Sequence, residues 1–198
     1  MFWNKIAPVY DVFEKVYNNR VIKGTAKICA GHMNDTDDVL ECACGTGLIT
    51  TSTAPKTRHY VATDFSKNML KKCMKKMKGQ YNTEFKFADI TKLEFENDSF
   101  DKVIAGNVIH LLDDPAKAMK ELERVVKPNG LLIIPTYINK ENRMATGLAG
   151  TFNKMGANFK RQFDIDSYKS FFKDIGYDNV TYEIADGKMP CAVAVIRI

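Results

Sequence analysis

Between residues 39 and 136 the apolar residues fall into short continuous runs, separated by segments in which they recur every three or four positions. The first pattern is that of buried strands and the second that of amphipathic helices, so the two alternate along the chain. Strands are predicted at 39–42, 59–63, 84–88, 100–105 and 131–136. Residues 8–32 read as one or two helices, with Val9, Val12, Phe13, Val16 and Tyr17 on one face and a break near Asn18-Asn19. Ser66 is placed to cap a helix that Gly79 ends, and Asp114-Pro115 opens another with a capping carboxylate and a proline at the first helical position. Pro128-Asn129-Gly130 is read as a turn into the fifth strand.

Past residue 136 the alternation stops. Residues 141–157 form an amphipathic segment with Met144, Leu148, Phe152 and Met155 on its apolar side, and a helix follows near 167–175. The runs 180–184 and 192–198 make a hairpin about Asp186-Gly187. Strands that alternate with helices imply a parallel, doubly wound α/β sheet of Rossmann-like topology, here seven-stranded with an antiparallel last strand and helices on both faces. With 198 residues the expectation is one domain: a helical lid over 1–32, a core over 36–136, and an insert plus hairpin over 137–198.

Composition changes the picture little. The formal charge is +5, but Lys67, Lys71, Lys72, Lys75, Lys76 and Lys78 fall in one segment, opposite a stripe of Leu70, Cys73, Met74 and Met77. That segment is read as an amphipathic helix with a solvated basic face, and no nucleic-acid partner is expected. Five cysteines, odd in number and set in apolar runs, suit a reducing compartment. No run is long enough to span a bilayer, and the first eleven residues lack the apolar stretch of a signal peptide, so a cytoplasmic protein is expected. The pattern sets no oligomeric state.

In a sheet of this kind ligands bind beyond the carboxyl ends of the strands. Two features converge there. Gly45 and Gly47 follow the first strand and let backbone N–H groups approach a ligand, and Asp64, ending the second strand, can accept hydrogen bonds from both hydroxyls of a ribose. Together they indicate an adenosyl nucleotide. A dinucleotide loop would carry a third Gly or Ala where Thr50 stands, which counts against an NAD-dependent oxidoreductase, the alternative enzyme. Cys42 and Cys44 form a C-x-C, but two thiols do not complete a tetrahedral site, and no metal is expected.

The stretch Val39-Leu40-Glu41-Cys42-Ala43-Cys44-Gly45-Thr46-Gly47 resembles the first motif of the class I S-adenosylmethionine-dependent methyltransferases, V-L-D-L-G-C-G-T-G. Glu41 stands for the Asp and Ala43 for the first glycine. Further stretches match in order: Asp64-Phe65-Ser66 with Met69-Leu70, Asp89 with Leu93, Phe95 and Ser99-Phe100-Asp101, and 124–130. The resemblance implies S-adenosylmethionine as cofactor. It implies that Glu41, Ala43, Cys44, Gly45 and Gly47 hold the methionine end with Asn107 beside it, that Asp64 holds the ribose, and that Asp89, with Phe65, Met69 and Ile90, surrounds the adenine.

The acceptor side is read from fewer residues. His110, just past the fourth strand, is the candidate base, or a histidine packed at the entry to the next helix. Tyr137 and Tyr10 are candidates to orient an acceptor. The stretch 106–109 lacks the Asp/Asn-Pro-Pro-aromatic signature of amide and base N-methyltransferases, which disfavours DNA as substrate. Residues 2–11 resemble the N-terminal segment of the ubiquinone/menaquinone C-methyltransferase-like group, although the Arg-Asn pair of true quinone enzymes is not evident at Ile109-His110. The expected function is methyl transfer to a small or lipid-like molecule, with an inactive cofactor-binding subunit as a second alternative. Residues 1–17 carry Phe2, Trp3, Tyr10, Phe13 and Tyr17, more aromatic surface than a solvated tail would have, and are read as a lid over the acceptor pocket.

Overall fold

The computed structural model describes residues 2–80, 82–139 and 160–198, and within the first helix it describes side chains other than those of residues 2, 5 and 7–17. The segment 141–157 and the Tyr10 side chain lie outside the described residues. Seven strands form one sheet: β1 (Asp38–Cys42), β2 (His59–Asp64), β3 (Thr83–Phe87), β4 (Phe100–Ala105), β5 (Val126–Tyr137), β6 (Val180–Ala185) and β7 (Cys191–Arg197). Their order is β3-β2-β1-β4-β5-β7-β6, and β7 is antiparallel to both its neighbours. The chain therefore winds outward from β1 in one direction and, after β3, from β4 in the other. The reversal leaves a crevice at the carboxyl ends of β1 and β4, where such sheets bind ligands.

Helices cover both faces. On one, α1 (Phe2–Gly31), α2 (Thr50–Thr53) and α3 (Lys67–Lys76) contribute Cys29, Leu70 and Cys73 to a core with Val39, Tyr60, Ala62, Ile104 and Ile133. On the other, α4 (Pro115–Val125) and α5 (Ile165–Asp174) bring Met119, Leu122, Tyr168 and Phe172 against Leu40, Val103, Leu132 and Ile134. Alternate residues of each central strand thus serve opposite cores, as the period of two requires. The strand ends at Cys42 and the left-handed Ala43 turns the chain, so Cys42 and Cys44 enter different clusters. Among the described residues no three His, Cys, Asp or Glu side chains gather as metal ligands.

The caps follow the expected chemistry. Ser66 accepts from Met69 N at 3.2 Å, Asp114 accepts from Lys117 N at 3.0 Å, and Asp164 with Ser167 makes a reciprocal box at the start of α5. Asn18 breaks α1 with φ −135° and ψ 23°, and its Nδ2 donates to Met189 O at 3.0 Å, so the break is pinned to the hairpin loop.

Two expectations need correction. β5 begins at Val126, because Phe100 already pairs with Val126; the register then jumps to Lys102 with Leu131, and 127–130 form a bulge within the strand rather than a turn before it. Met74 is 48% exposed and does not belong to the buried stripe, which consists of Leu70, Cys73 and Met77 with Met69.

Candidate cofactor site

The loop after β1 is shaped by a run of left-handed residues. Ala43 (φ 54°), Gly45 (φ 56°) and Gly47 (φ 85°) all lie where an L side chain is strained. A Cβ on Gly47 would stand 2.7 Å from Cys73 Sγ, so glycine is required there both by backbone and by space. A Cβ on Gly45 would meet no protein atom within 4 Å, although Gly45 lines a cavity of about 300 Å³. The open side of Gly45 is the ligand side of the loop.

Ala43 retains the left-handed conformation without the residue that favours it. The strain of an L residue there costs about 1–2 kcal/mol, against about 0.5–1 kcal/mol of extra chain entropy for glycine. Ala43→Gly is therefore expected to stabilise the protein by roughly 0.5–1 kcal/mol, seen as a higher urea midpoint at unchanged m. A lowered midpoint would show that the Ala43 methyl group contributes more by packing than its backbone loses.

Two carboxylates anchor the cavity. Asp64 accepts from Gly45 N at 2.8 Å through one oxygen and from Ser66 N at 2.7 Å through the other, which ties the loop after β1 to the start of α3. Burial raises its pKa, and the two N–H donors oppose that rise. Each oxygen keeps a second lone pair for a ligand hydroxyl. Glu41 is only 2% exposed. Its Oε2 accepts from Thr50 Oγ1 at 2.5 Å and from Tyr60 OH at 2.8 Å, and burial pushes its pKa up to about 7. Glu41 also lines the cavity, as a carboxylate clamped by two hydroxyls.

The remaining wall joins Cys44, Thr46, Phe65, Met69, Asp89 and Ile90 to Gly106 and Asn107. Every one of the expected cofactor residues, Glu41, Ala43, Cys44, Gly45, Asp64, Phe65, Met69, Asp89, Ile90 and Asn107, lines this one cavity, with the exception of Gly47, which supports the loop from beneath. Asn107, itself left-handed at φ 52°, receives a hydrogen bond from Tyr137 N on Oδ1 at 3.0 Å and so joins the ends of β4 and β5. Asp89 accepts from Thr91 N and Thr91 Oγ1, both at 2.8 Å on Oδ1, so it closes a turn while lining the cavity. Phe65 is 48% exposed and stacks on Phe87 at 5.1 Å between centroids, so it is a wall residue and not core.

The carboxylate-and-glycine cavity at the sheet's reversal point has counterparts in known proteins. The Methyltransferase domain family profile matches residues 40–134. Residues 40–134 therefore form a methyltransferase domain of the class I S-adenosylmethionine-dependent type. A demethylmenaquinone methyltransferase of Leptospira interrogans is 33% identical over 145 residues, covering 66% of this chain and 57% of that protein. One from Clavibacter sepedonicus is 38% identical over 96 residues, covering 48% of this chain and 39% of that protein. The chain thus spans about half the length of these relatives. A solved S-adenosylmethionine-dependent methyltransferase of Thermotoga maritima, described as a possible histamine N-methyltransferase, superposes with TM-score 0.74 at 15% identity over 99% of this chain and 98% of that one, a likeness of fold. The dinucleotide alternative is not favoured: Thr50, where a dinucleotide loop has Gly or Ala, is committed to Glu41.

Against that class I framework the acceptor-side candidates stand apart. His110 sits in the single turn Ile109–Leu111, is buried, and is not among the residues lining the cavity; burial lowers its pKa to about 4. Tyr137 packs half-buried against the cluster of Val21, Ala185 and Cys191, also off the cavity wall. Sequence reasoning missed Tyr60, whose role depends on the β1–β2 register that sets it diagonally from Glu41, and it read Thr50 only as a missing glycine. It also placed the N-terminal segment over the acceptor alone, whereas Trp3 lines the cofactor cavity, and Asn4 Oδ1 accepts from Ser66 Oγ at 2.6 Å and from Asn68 N at 3.3 Å.

Proposed function

We propose that the protein transfers the methyl group of S-adenosylmethionine to a small or lipid-like acceptor. The observation that carries the proposal is the pairing, in one cavity, of the clamped Glu41 carboxylate with the Asp64 carboxylate beside an open Gly45. When bound, this cofactor supplies an electrophilic methyl group on a sulfonium. Glu41 and the backbone from Cys44 to Gly47 would hold its amino-acid end, Asp64 its ribose, and Asp89 with Phe65, Met69 and Ile90 its adenine. Two carboxylates lining the loop, Glu41 and Asp64, would repel a pyrophosphate.

Displacement at a methyl group depends on in-line approach, and positioning alone can lower such a barrier by about 7–11 kcal/mol. Trp3, Leu111 and Leu112 give the cavity an apolar rim that orients an acceptor and excludes water. The segment 1–17, fastened to α3 through Asn4, serves as the lid over that rim. His110 is neutral at pH 7, the state a base requires, but it is buried and off the cavity wall. The acceptor is proposed as lipid-like because the relatives matched over the cofactor core are named for a quinone substrate. Five buried free cysteines favour a reducing, cytoplasmic setting, and among the described residues no helix is long and apolar enough to cross a membrane.

Calorimetry tests the cofactor assignment directly. S-adenosylmethionine and S-adenosylhomocysteine are expected to bind saturably, and NAD and NADP to give no heat. Saturable NAD binding with no response to either adenosyl ligand would overturn the assignment.

A further inference from the structure

Among the described residues four large hydrophobic side chains are exposed, and three of them, Phe65 (48%), Met74 (48%) and Phe87 (50%), lie on or beside α3. The same helix and the turn after it carry Lys67, Lys71, Lys72, Lys75, Lys76 and Lys78 with no acidic residue between 65 and 78. The whole chain has a formal charge of +5, so these six lysines account for the entire excess. Lys67, Lys71, Met74 and Lys75 follow one another at helical spacing on the exposed face of α3. Lys67 Nζ stands 5.6 Å over the ring of Phe87, which joins the helix to the outermost strand, β3. Lys86 points to the other face of the sheet, over Phe95 at 5.5 Å, and is paired there with Glu84 at 3.1 Å, so the basic surface is that of α3 and the turn after it. The surface is therefore basic with apolar tips.

We propose that this surface docks on an anionic lipid bilayer. Apolar side chains set among lysines match the layered chemistry of a bilayer surface, where the ammonium groups meet headgroup phosphates and the apolar tips enter the boundary below. A nucleic-acid backbone would satisfy the lysines and leave Met74 and Phe87 in water, and the surface lacks the arginines such backbones favour. Phe65 belongs both to this surface and to the wall of the cofactor cavity, so a docked molecule holds that cavity next to the headgroups. The inference gives the lipid-like acceptor of the proposed function a route to the site, and rests on that reading only for its purpose.

The test is co-sedimentation of the full chain with phosphatidylglycerol-containing vesicles and with pure phosphatidylcholine vesicles, at low and high salt. Each lysine near an anionic surface multiplies the partition coefficient by about five. Binding is expected to the anionic vesicles only, to weaken with salt, and to fall by more than about a hundredfold in Lys71→Glu/Lys75→Glu/Lys78→Glu and several-fold in Met74→Ser. Both variants should keep the wild-type unfolding midpoint and S-adenosylhomocysteine affinity, since none of these side chains lines the cavity. No vesicle binding, equal binding to phosphatidylcholine, or release from vesicles by duplex DNA with no loss in Met74→Ser would overturn the proposal. S-adenosylhomocysteine binding in the same samples reports separately on the cofactor assignment.

Discussion

Glu41→Gln is expected to make the protein more stable above neutral pH while weakening the cofactor. In the folded protein burial raises the Glu41 pKa from 4.5 to about 7. A carboxyl raised in the folded state contributes its stability in the protonated form: that contribution is complete below the unfolded value of 4.5 and is lost as pH rises through about 7. A difference of that size corresponds to about 3 kcal/mol. Glutamine cannot ionise, yet its carbonyl oxygen can still accept from Thr50 Oγ1 and Tyr60 OH. Near pH 4 the two proteins should therefore unfold alike, and at about pH 8 the variant should gain up to about 3 kcal/mol. The same substitution removes the charge that would hold the cofactor's ammonium group, worth about 1.5–3 kcal/mol or a ten- to hundredfold loss of affinity. Wild-type affinity should itself decline below about pH 7, as ligand binding competes with the Glu41 proton. Urea titrations at the two pH values and calorimetry of both proteins check this. A variant less stable at the higher pH would show that Glu41 is not a buried charge held for a ligand.

The parts of this design that rest on period and on chain ends were legible in the sequence. β1, β2 and β4 each carry a short apolar run, Val39-Leu40, Tyr60-Val61-Ala62 and Val103-Ile104-Ala105, and Glu41 and Asp64 stand out because an acid just past such a run has no place in a core. The break in α1 was visible at Asn18-Asn19 because paired asparagines favour non-helical backbone, and Asn18 takes it. Features that depend on which neighbour lies alongside were not legible. Met74 falls within the apolar stripe by helical angle, yet α3 covers β2 and the edge strand β3, and among the described residues nothing beyond that edge buries it. Tyr60 is an ordinary strand residue until the register with β1 sets its hydroxyl against Glu41. His110 follows a strand that ends at the site, but the turn Ile109–Leu111 sends Leu111 to the cavity and buries the imidazole, a choice that local pattern does not fix.

Asp64→Ala should do more damage than the loss of a ribose contact implies. Its two oxygens hold Gly45 N and Ser66 N at 2.8 and 2.7 Å, one on each side of the cavity, so the substitution leaves two backbone donors without their acceptors. A buried donor left unsatisfied costs about 1–3 kcal/mol, and Ser66 is fully buried, so the free protein should lose roughly 2–4 kcal/mol of stability. The Asp64 pKa is raised by burial, and removing the charge returns part of that cost, which places the expected loss toward the lower end of the range. Cofactor affinity should fall by more than the ten- to hundredfold expected for one charge-assisted ribose pair, because the Gly45 loop loses its tether as well. Asp64→Asn separates the two effects. Its single carbonyl oxygen can keep one N–H, and its NH2 confronts the other, so it should sit between wild type and alanine in stability while losing most of the affinity. Thermal unfolding of the free proteins and S-adenosylhomocysteine titrations give both readouts. An alanine variant with wild-type stability and only a tenfold loss of affinity would reduce Asp64 to a ribose ligand and remove its part in shaping the loop.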